Sequence, residues 1–274
     1  MLEALEFVDE SVDPKVADIS ACLRGNSACL LSLRGCSMTD EAFSEICRAV
    51  SASSSLRHLN LNINVVHSSH RMKALANSLR ANHTITHLML HGTSLTEKQV
   101  KKLWKALKRH PIIEFLDLGD CSLTDACVQY VARLLSKQTV ERSTIDDVGA
   151  ARTDSKPCHR MRELNLSANT DISLLGWTQL AIGLARNTTL EMLYLDYNDL
   201  LSEGAAVLAV ALSVHPEIRV VDMEGCGIGD DGASHILAAL KKPRPPKLEK
   251  LILTNNDISV EKVESITALL QPPV

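Results

Sequence analysis

Histidine and cysteine are the side chains here best suited to metal binding or nucleophilic chemistry, and the 274-residue chain holds ten of the first and eight of the second. His58 and His87 occupy the same place in two similar strand-like segments, and His91 lies four residues beyond His87. Adjacent strands lie about 4.8 Å apart, so the first two imidazoles can meet, while His91 sits about 13 Å further along. Two imidazoles without a third ligand do not make a zinc site. Cys36, Cys121 and Cys226 recur at one position of a repeat, Cys47 and Cys127 fall in helical stretches, and Cys22, Cys29 and Cys158 stand apart. Such scattered thiols fit a reducing compartment better than a disulfide framework. No Walker loop, dinucleotide fingerprint, H-E-x-x-H or G-x-S-x-G occurs. The run Gly225-Cys226-Gly227-Ile228-Gly229 fills a recurring bend, so its glycines serve the turn rather than a phosphate. These patterns predict a non-enzymatic chain with no cofactor and no metal.

What must position these residues is a repeat. Leu31-x-Leu33, Leu59-x-Leu61, Leu88-x-Leu90, Leu116-x-Leu118, Leu164-x-Leu166, Leu193-x-Leu195, Val221-x-Met223 and Leu251-x-Leu253 share one alternation, the mark of a short strand. Between their second residues the steps are 28, 29, 28, 48, 29, 28 and 30. Three residues further on stands Cys36, Asn64, Thr93, Cys121, Asn169, Asn198, Cys226 or Asn256. A small polar side chain there can satisfy the backbone groups of a buried bend, and stacked repeats would align these side chains into a ladder. Apolar triplets at helical spacing follow, such as Phe43/Ile46/Val50 and Trp177/Leu180/Leu184. Thr39-Asp40, Thr124-Asp125, Ser202-Glu203 and Gly229-Asp230 supply expected helix caps with an acid in the first turn. The predicted fold is an α/β solenoid of about eight to nine repeats, a curved horseshoe arc with parallel strands on its concave face and helices on its convex face.

This strand–bend–helix unit matches the pattern L-x-x-L-x-L-x-x-N/C-x-L and resembles the ribonuclease-inhibitor-like subgroup of the leucine-rich-repeat superfamily. The resemblance covers residues 28–270. The subgroup also holds the Ran GTPase-activating protein, tropomodulin's C-terminal domain and sensor domains of innate immune receptors. It implies a horseshoe fold and says little about function. Residues 28–274 form the expected repeat domain. Residues 1–27 read as an N-terminal cap or as a degenerate repeat, with Leu2, Leu5 and Phe7 as its strand and Asp13-Pro14 opening a helix.

Three places break the pattern. The 48-residue step holds an insertion at about 137–159, without apolar periodicity, that reads as a loop; Ser143, Thr144, Thr153 and Ser155 in it could accept phosphate. Lys241-Lys242-Pro243-Arg244-Pro245-Pro246-Lys247 reads as a stiff connector. No polar capping unit follows the last strand, near Lys250–Leu253, so its open edge is expected to be covered by a partner or a second copy.

With the leucines pointing inward, the intervening residues face the concave surface. Met89, Phe115, Met192, Tyr194, Val220 and Ile252 put large apolar groups there, and Asp117, Glu163, Asp196, Asp222 and Glu224 make the second half acidic. Arg34, His58, His87 and His91 make the first half neutral to basic. A protein partner with a basic, partly apolar surface suits the second half. A net charge of −4 gives no field that would attract nucleic acid, and no apolar run is long enough for membrane insertion. The reading is therefore a protein–protein interaction scaffold. It is expected to be cytoplasmic and part of a larger assembly, cytoskeletal or ciliary and flagellar assemblies included, with the nucleus left open. Small-GTPase regulation and enzyme inhibition are the alternatives.

Overall fold

The structure is a computed structural model that describes residues 2–136, 161–241 and 247–270. The insertion's serines and threonines, Cys158 and the proline-rich link at 242–246 lie outside those residues. Strands β1 (Glu3–Val8), β2 (Ala28–Arg34), β3 (His58–Asn60), β4 (His87–Met89), β5 (Phe115–Asp117), β6 (Glu163–Asn165), β7 (Met192–Tyr194), β8 (Val220–Asp222) and β9 (Lys250–Ile252) pair in chain order into one sheet. Helices α1 (Val16–Arg24), α2 (Asp40–Ala52), α3 (Ser69–Ala81), α4 (Glu97–Leu107), α5 (Asp125–Leu135), α6 (Leu174–Ala185), α7 (Leu201–Leu212), α8 (Gly229–Leu240) and α9 (Val260–Leu270) follow the strands one by one. Every pairing is parallel, and the inward residues stay in register: Leu59 beside Leu88, Leu116 beside Leu164, Leu193 beside Val221. Strands sit about 4.8 Å apart but packed helices need about 8–10 Å, so stacking the units bends them into an arc with the strands inside. The core lies between the two layers, where Leu31, Leu88, Leu164, Phe43, Leu75 and Trp177 are fully buried.

The N-terminal segment extends this order. β1 lies against β2 with Leu5 and Phe7 beside Leu31 and Leu33. A single 3-10 turn at Asp13–Lys15, opened by Pro14, leads into α1.

The bends are held by the polar column. Asn169 is fully buried. Its Oδ1 accepts the N–H groups of Cys121 (3.1 Å) and Leu123 (2.9 Å), and its Nδ2 donates to the carbonyls of Leu118, Leu166 and Ser167. Asn256 does the same for the Cys226 bend, accepting from Cys226 and Ile228 and donating to Met223, Leu253 and Thr254. Asn198 accepts from Asn169 N–H and donates to Leu166 and Leu195. Cys121 donates to Leu90 O and Gly119 O, and Cys226 to Leu195 O and Glu224 O. Burial pushes both thiols up to about 12, which keeps the proton they donate and leaves them unreactive. Cys36 donates to Arg34 O, and Thr93 accepts the N–H of Asn64.

Asn64 itself departs from the expected ladder. It is exposed, at φ +60° beside Ile63 at +59°, and Val65 and Val66 take the buried places of that bend. A different side chain stitches this bend. The buried Arg71 of α3 donates to Val65 O (2.9 Å), to Met38 O of the preceding bend, and to the carboxylate of Asp40 (2.6 Å). Its fixed fork of donors reaches three acceptors that a short amide would not span.

The helix starts also differ in part. Thr39 caps α2 through Ala42 N–H, and Thr124 holds the cap position of α5, its hydroxyl donating to Cys127 Sγ rather than accepting a helix N–H. For α7 and α8, however, the cap positions are Leu200 and Ile228, both buried, rather than the polar residues just after them. There the chain enters the helix through a left-handed residue, Leu201 or Gly229, whose N–H reaches a carbonyl of the next repeat. The first-turn acids do more than meet the helix dipole. Asp13 accepts from Thr39 N–H, Asp125 from Ser173 and Gly176 N–H, and Asp230 from Ser259 N–H, so each caps the helix start of the following unit.

Candidate protein-binding face

The strands present three columns to the concave side. In the first, His58 and His87 stack with ring centroids 4.2 Å apart and planes 6° from parallel, and Phe115 tilts against His87 at 5.8 Å. This follows from their common register on β3, β4 and β5. Burial holds both imidazoles below their ordinary range. Glu163, Met192 and Val220 continue the column, all half-buried, and Lys250 ends it, exposed. Burial, with Glu191 and Glu114 nearby, raises the Glu163 carboxyl.

The central column contains Met89, Asp117, Tyr194, Asp222 and Ile252. Asn60, Asp117, Asn165 and Asp222 each accept the N–H two residues on, from Asn62, Gly119, Ser167 and Glu224. These side chains close the strand ends as Asx turns. Asp117 is less open than the alternation implies, at 9% exposure. Gly119 is the reason: a Cβ there would come within 2.6 Å of His91 Nδ1, so the missing side chain lets the His91 ring fold over Asp117, 3.8 Å from its Oδ1. Burial lifts the Asp117 carboxyl above the usual range. Asp222 is also raised, by burial and by the charges of Asp196 and Glu224. The Tyr194 hydroxyl donates to Met192 Sδ at 3.3 Å.

In the third column Arg34 is exposed, Asp196 accepts the Ser167 hydroxyl, and Glu224 accepts from Tyr197 Oη (3.1 Å) and Asn255 Nδ2 (2.7 Å). The fold thus separates a His/Arg half from a half where carboxylates surround Phe115, Met192, Tyr194 and Val220. Among the described residues no group of three or more His, Cys, Asp or Glu is placed to hold a metal, and no helix is long and apolar enough to cross a membrane. What converges on this face is apolar surface edged with carboxylates.

A leucine-rich-repeat family model matches residues 216–237. Leucine-rich repeat-containing protein 73 of Homo sapiens is 39% identical over 256 residues, covering 93% of this chain and 75% of that protein. The chain belongs to the family of leucine-rich repeat-containing protein 73. Ribonuclease inhibitor of Sus scrofa is 25% identical over 277 residues, covering 89% of this chain and 56% of that protein. The leucine-rich repeat-containing protein LegL7 of Legionella pneumophila shares the fold, with a TM-score of 0.53 and 16% identity over 92% of this chain and 77% of that one. The leucine-rich-repeat assignment accounts for the strand leucines and for the polar column at each bend.

A second polar column was not read from the sequence. Asn82 Oδ1 accepts from Thr84 and Ile85 N–H while its Nδ2 donates to Val50 O and Ser53 O. Asn187 accepts from Thr189 and Leu190 and donates to Leu135 O. His215 Nδ1 accepts from Glu217 and Ile218 N–H, and its Nε2 lies 3.2 Å from Asn187 Oδ1. The buried His110 holds the corresponding place after α4. The available signal is an Asn or His three residues before a buried Ile or Leu at four helix exits: Asn82/Ile85, His110/Ile113, Asn187/Leu190 and His215/Ile218.

Proposed function

We propose that this chain is a non-enzymatic protein-interaction scaffold that holds a partner against the second half of its concave face, as a subunit of a larger cytoplasmic assembly, cytoskeletal or ciliary. The observation that carries the reading is the set of half-buried apolar side chains, Phe115, Met192, Tyr194 and Val220, edged by Glu163, Asp196, Asp222 and Glu224. A partner surface that combines apolar and cationic groups would desolvate the first set and pair with the second. Affinity capture followed by mass spectrometry identifies the partner, and imaging of a tagged chain tests the assembly. Tyr194→Ala with Asp222→Asn is expected to weaken that capture at least tenfold at unchanged Tm, because Asn keeps the acceptor for Glu224 N–H. Equal capture by the variant removes the concave second half as the site.

The same reading covers the outer edge of β9. Beside it a cavity of about 340 Å³ is lined by Leu251, Leu253, Val263 and Ile266. A partner or a second copy seated there would bury this apolar surface. Sedimentation showing a strictly monomeric, soluble chain at high concentration, and hydrogen exchange unchanged in β9 when the partner binds, would remove this part.

A further inference from the structure

The loops that lead from β6 into α6 and from β7 into α7 enclose an open groove of about 450 Å³ on the rim of the arc, away from the concave columns. Ile172, Leu174 and Leu201 make its walls apolar, and Asp171, Asp199 and Glu203 are its charged members; its lining holds no Lys, Arg or His. Leu174–Ala185 carries no charged residue at all, and Leu201–Leu212 carries only Glu203.

Leu201 is the informative residue. It sits at φ +55°, a conformation that side chains other than glycine's rarely adopt, yet it is 53% exposed. One repeat later the same place is Gly229, at φ +61°, and the backbone bonds correspond: Leu201 N–H to Cys226 O at 3.0 Å, Gly229 N–H to Asn256 O at 2.9 Å. Tyr197, in the same β7–α7 loop, repeats the relation. It sits at φ +56° and is 54% exposed where the next repeat has Gly225 at φ +60°. This repeat therefore displays two large side chains in solvent on backbone positions that its neighbour gives to glycine. The core gains little from a side chain so exposed, whereas a ligand in the groove would gain a contact.

We propose that this groove docks a short segment of a partner protein in which an Arg or Lys stands next to a Leu-sized apolar side chain. The charge pattern decides this occupant. An acidic segment meets three carboxylates, and a purely apolar one desolvates them unpaired; only the combined segment satisfies both walls and rim.

The test is fluorescence anisotropy with labelled Leu-Arg-Leu-Arg-Leu-Arg against the wild-type chain, with Leu-Glu-Leu-Glu-Leu-Glu and Gly-Arg-Gly-Arg-Gly-Arg as comparators. The first peptide is expected to bind at least tenfold tighter than either comparator. Leu201→Gly is expected to weaken it at least tenfold with Tm equal or higher, since glycine relieves the backbone. Asp199→Asn with Glu203→Gln is expected to weaken it and flatten its salt dependence. Tyr194→Ala with Asp222→Asn is expected to leave it unchanged, which separates this groove from the concave reading. Equal affinity for the Leu-Arg peptide and Gly-Arg peptide, unaltered affinity in Leu201→Gly, a lowered Tm in that variant, or loss in the concave variant would each overturn the proposal.

Discussion

Asn169→Ala is expected to destabilise the chain by about 4 kcal/mol, because alanine strands several buried backbone groups at once and each unsatisfied group costs about 1–3 kcal/mol. The side chain it removes is fully buried and bonds two N–H donors and three carbonyls, drawn from its own bend and the one before. Asn64 holds the same place in the repeat count but is exposed, so Asn64→Ala is expected to change stability by less than about 0.5 kcal/mol. Urea unfolding of the two variants beside wild type, followed by circular dichroism, checks the contrast. Equal midpoints for the two would mean that the column is not what holds the bends.

Acid is expected to destabilise the fold through His215. Burial holds this imidazole down from its ordinary 6.5 to about 4 in the fold. Its Nδ1 accepts two backbone N–H groups, a role that only the unprotonated nitrogen can play. The folded value lies below the unfolded one, so the stability linked to this group is fully present above pH 6.5 and is lost as pH falls towards 4. At about 1.4 kcal/mol per pH unit, the loss across that window is about 3 kcal/mol. The raised carboxyls of Asp117, Glu163 and Asp222 act with the opposite sign, because their protonation favours the fold. His215→Asn separates the two effects. Asparagine already fills the equivalent place at Asn187 and accepts the same pair of N–H groups through Oδ1. Urea midpoints measured from pH 7 to pH 4.5 are expected to fall less steeply for His215→Asn than for wild type. Parallel curves would show that His215 does not set the acid limit.

The sheet and most of one ladder were legible because a period-two leucine pattern and a polar residue three positions later leave few alternatives for a stacked strand. Asn64 was misplaced for a physical reason. The count from Leu61 is correct, but Val65 and Val66 compete for the buried positions of that bend and Arg71, in the first turn of α3, supplies the polar bonds. Leu200 and Ile228 concealed the starts of α7 and α8, since an apolar residue at a cap position reads as core. The second ladder escaped because an Asn or His at a helix exit resembles ordinary surface punctuation until its three-residue offset from a buried Ile or Leu is noticed. On the concave face, the alternation orders the residues into columns but does not reveal that Gly119 lets His91 cover Asp117. The contrast of Leu201 and Tyr197 with Gly229 and Gly225 was present in the sequence. It acquires meaning only once the left-handed backbone at those positions is known.

The junction between β5 and β6 has one more consequence. Leu116 and Leu164 pair across it in the same parallel register as neighbours elsewhere, Asn169 reaches back to Leu118 O, and Asn187 reaches back to Leu135 O. These contacts between the two halves are made by residues before 137 and after 160. Each half offers the other a strand edge, a helix flank and matched polar atoms, the elements from which a split protein reassembles. The same boundary is where an inserted domain could be carried without altering the register of the arc.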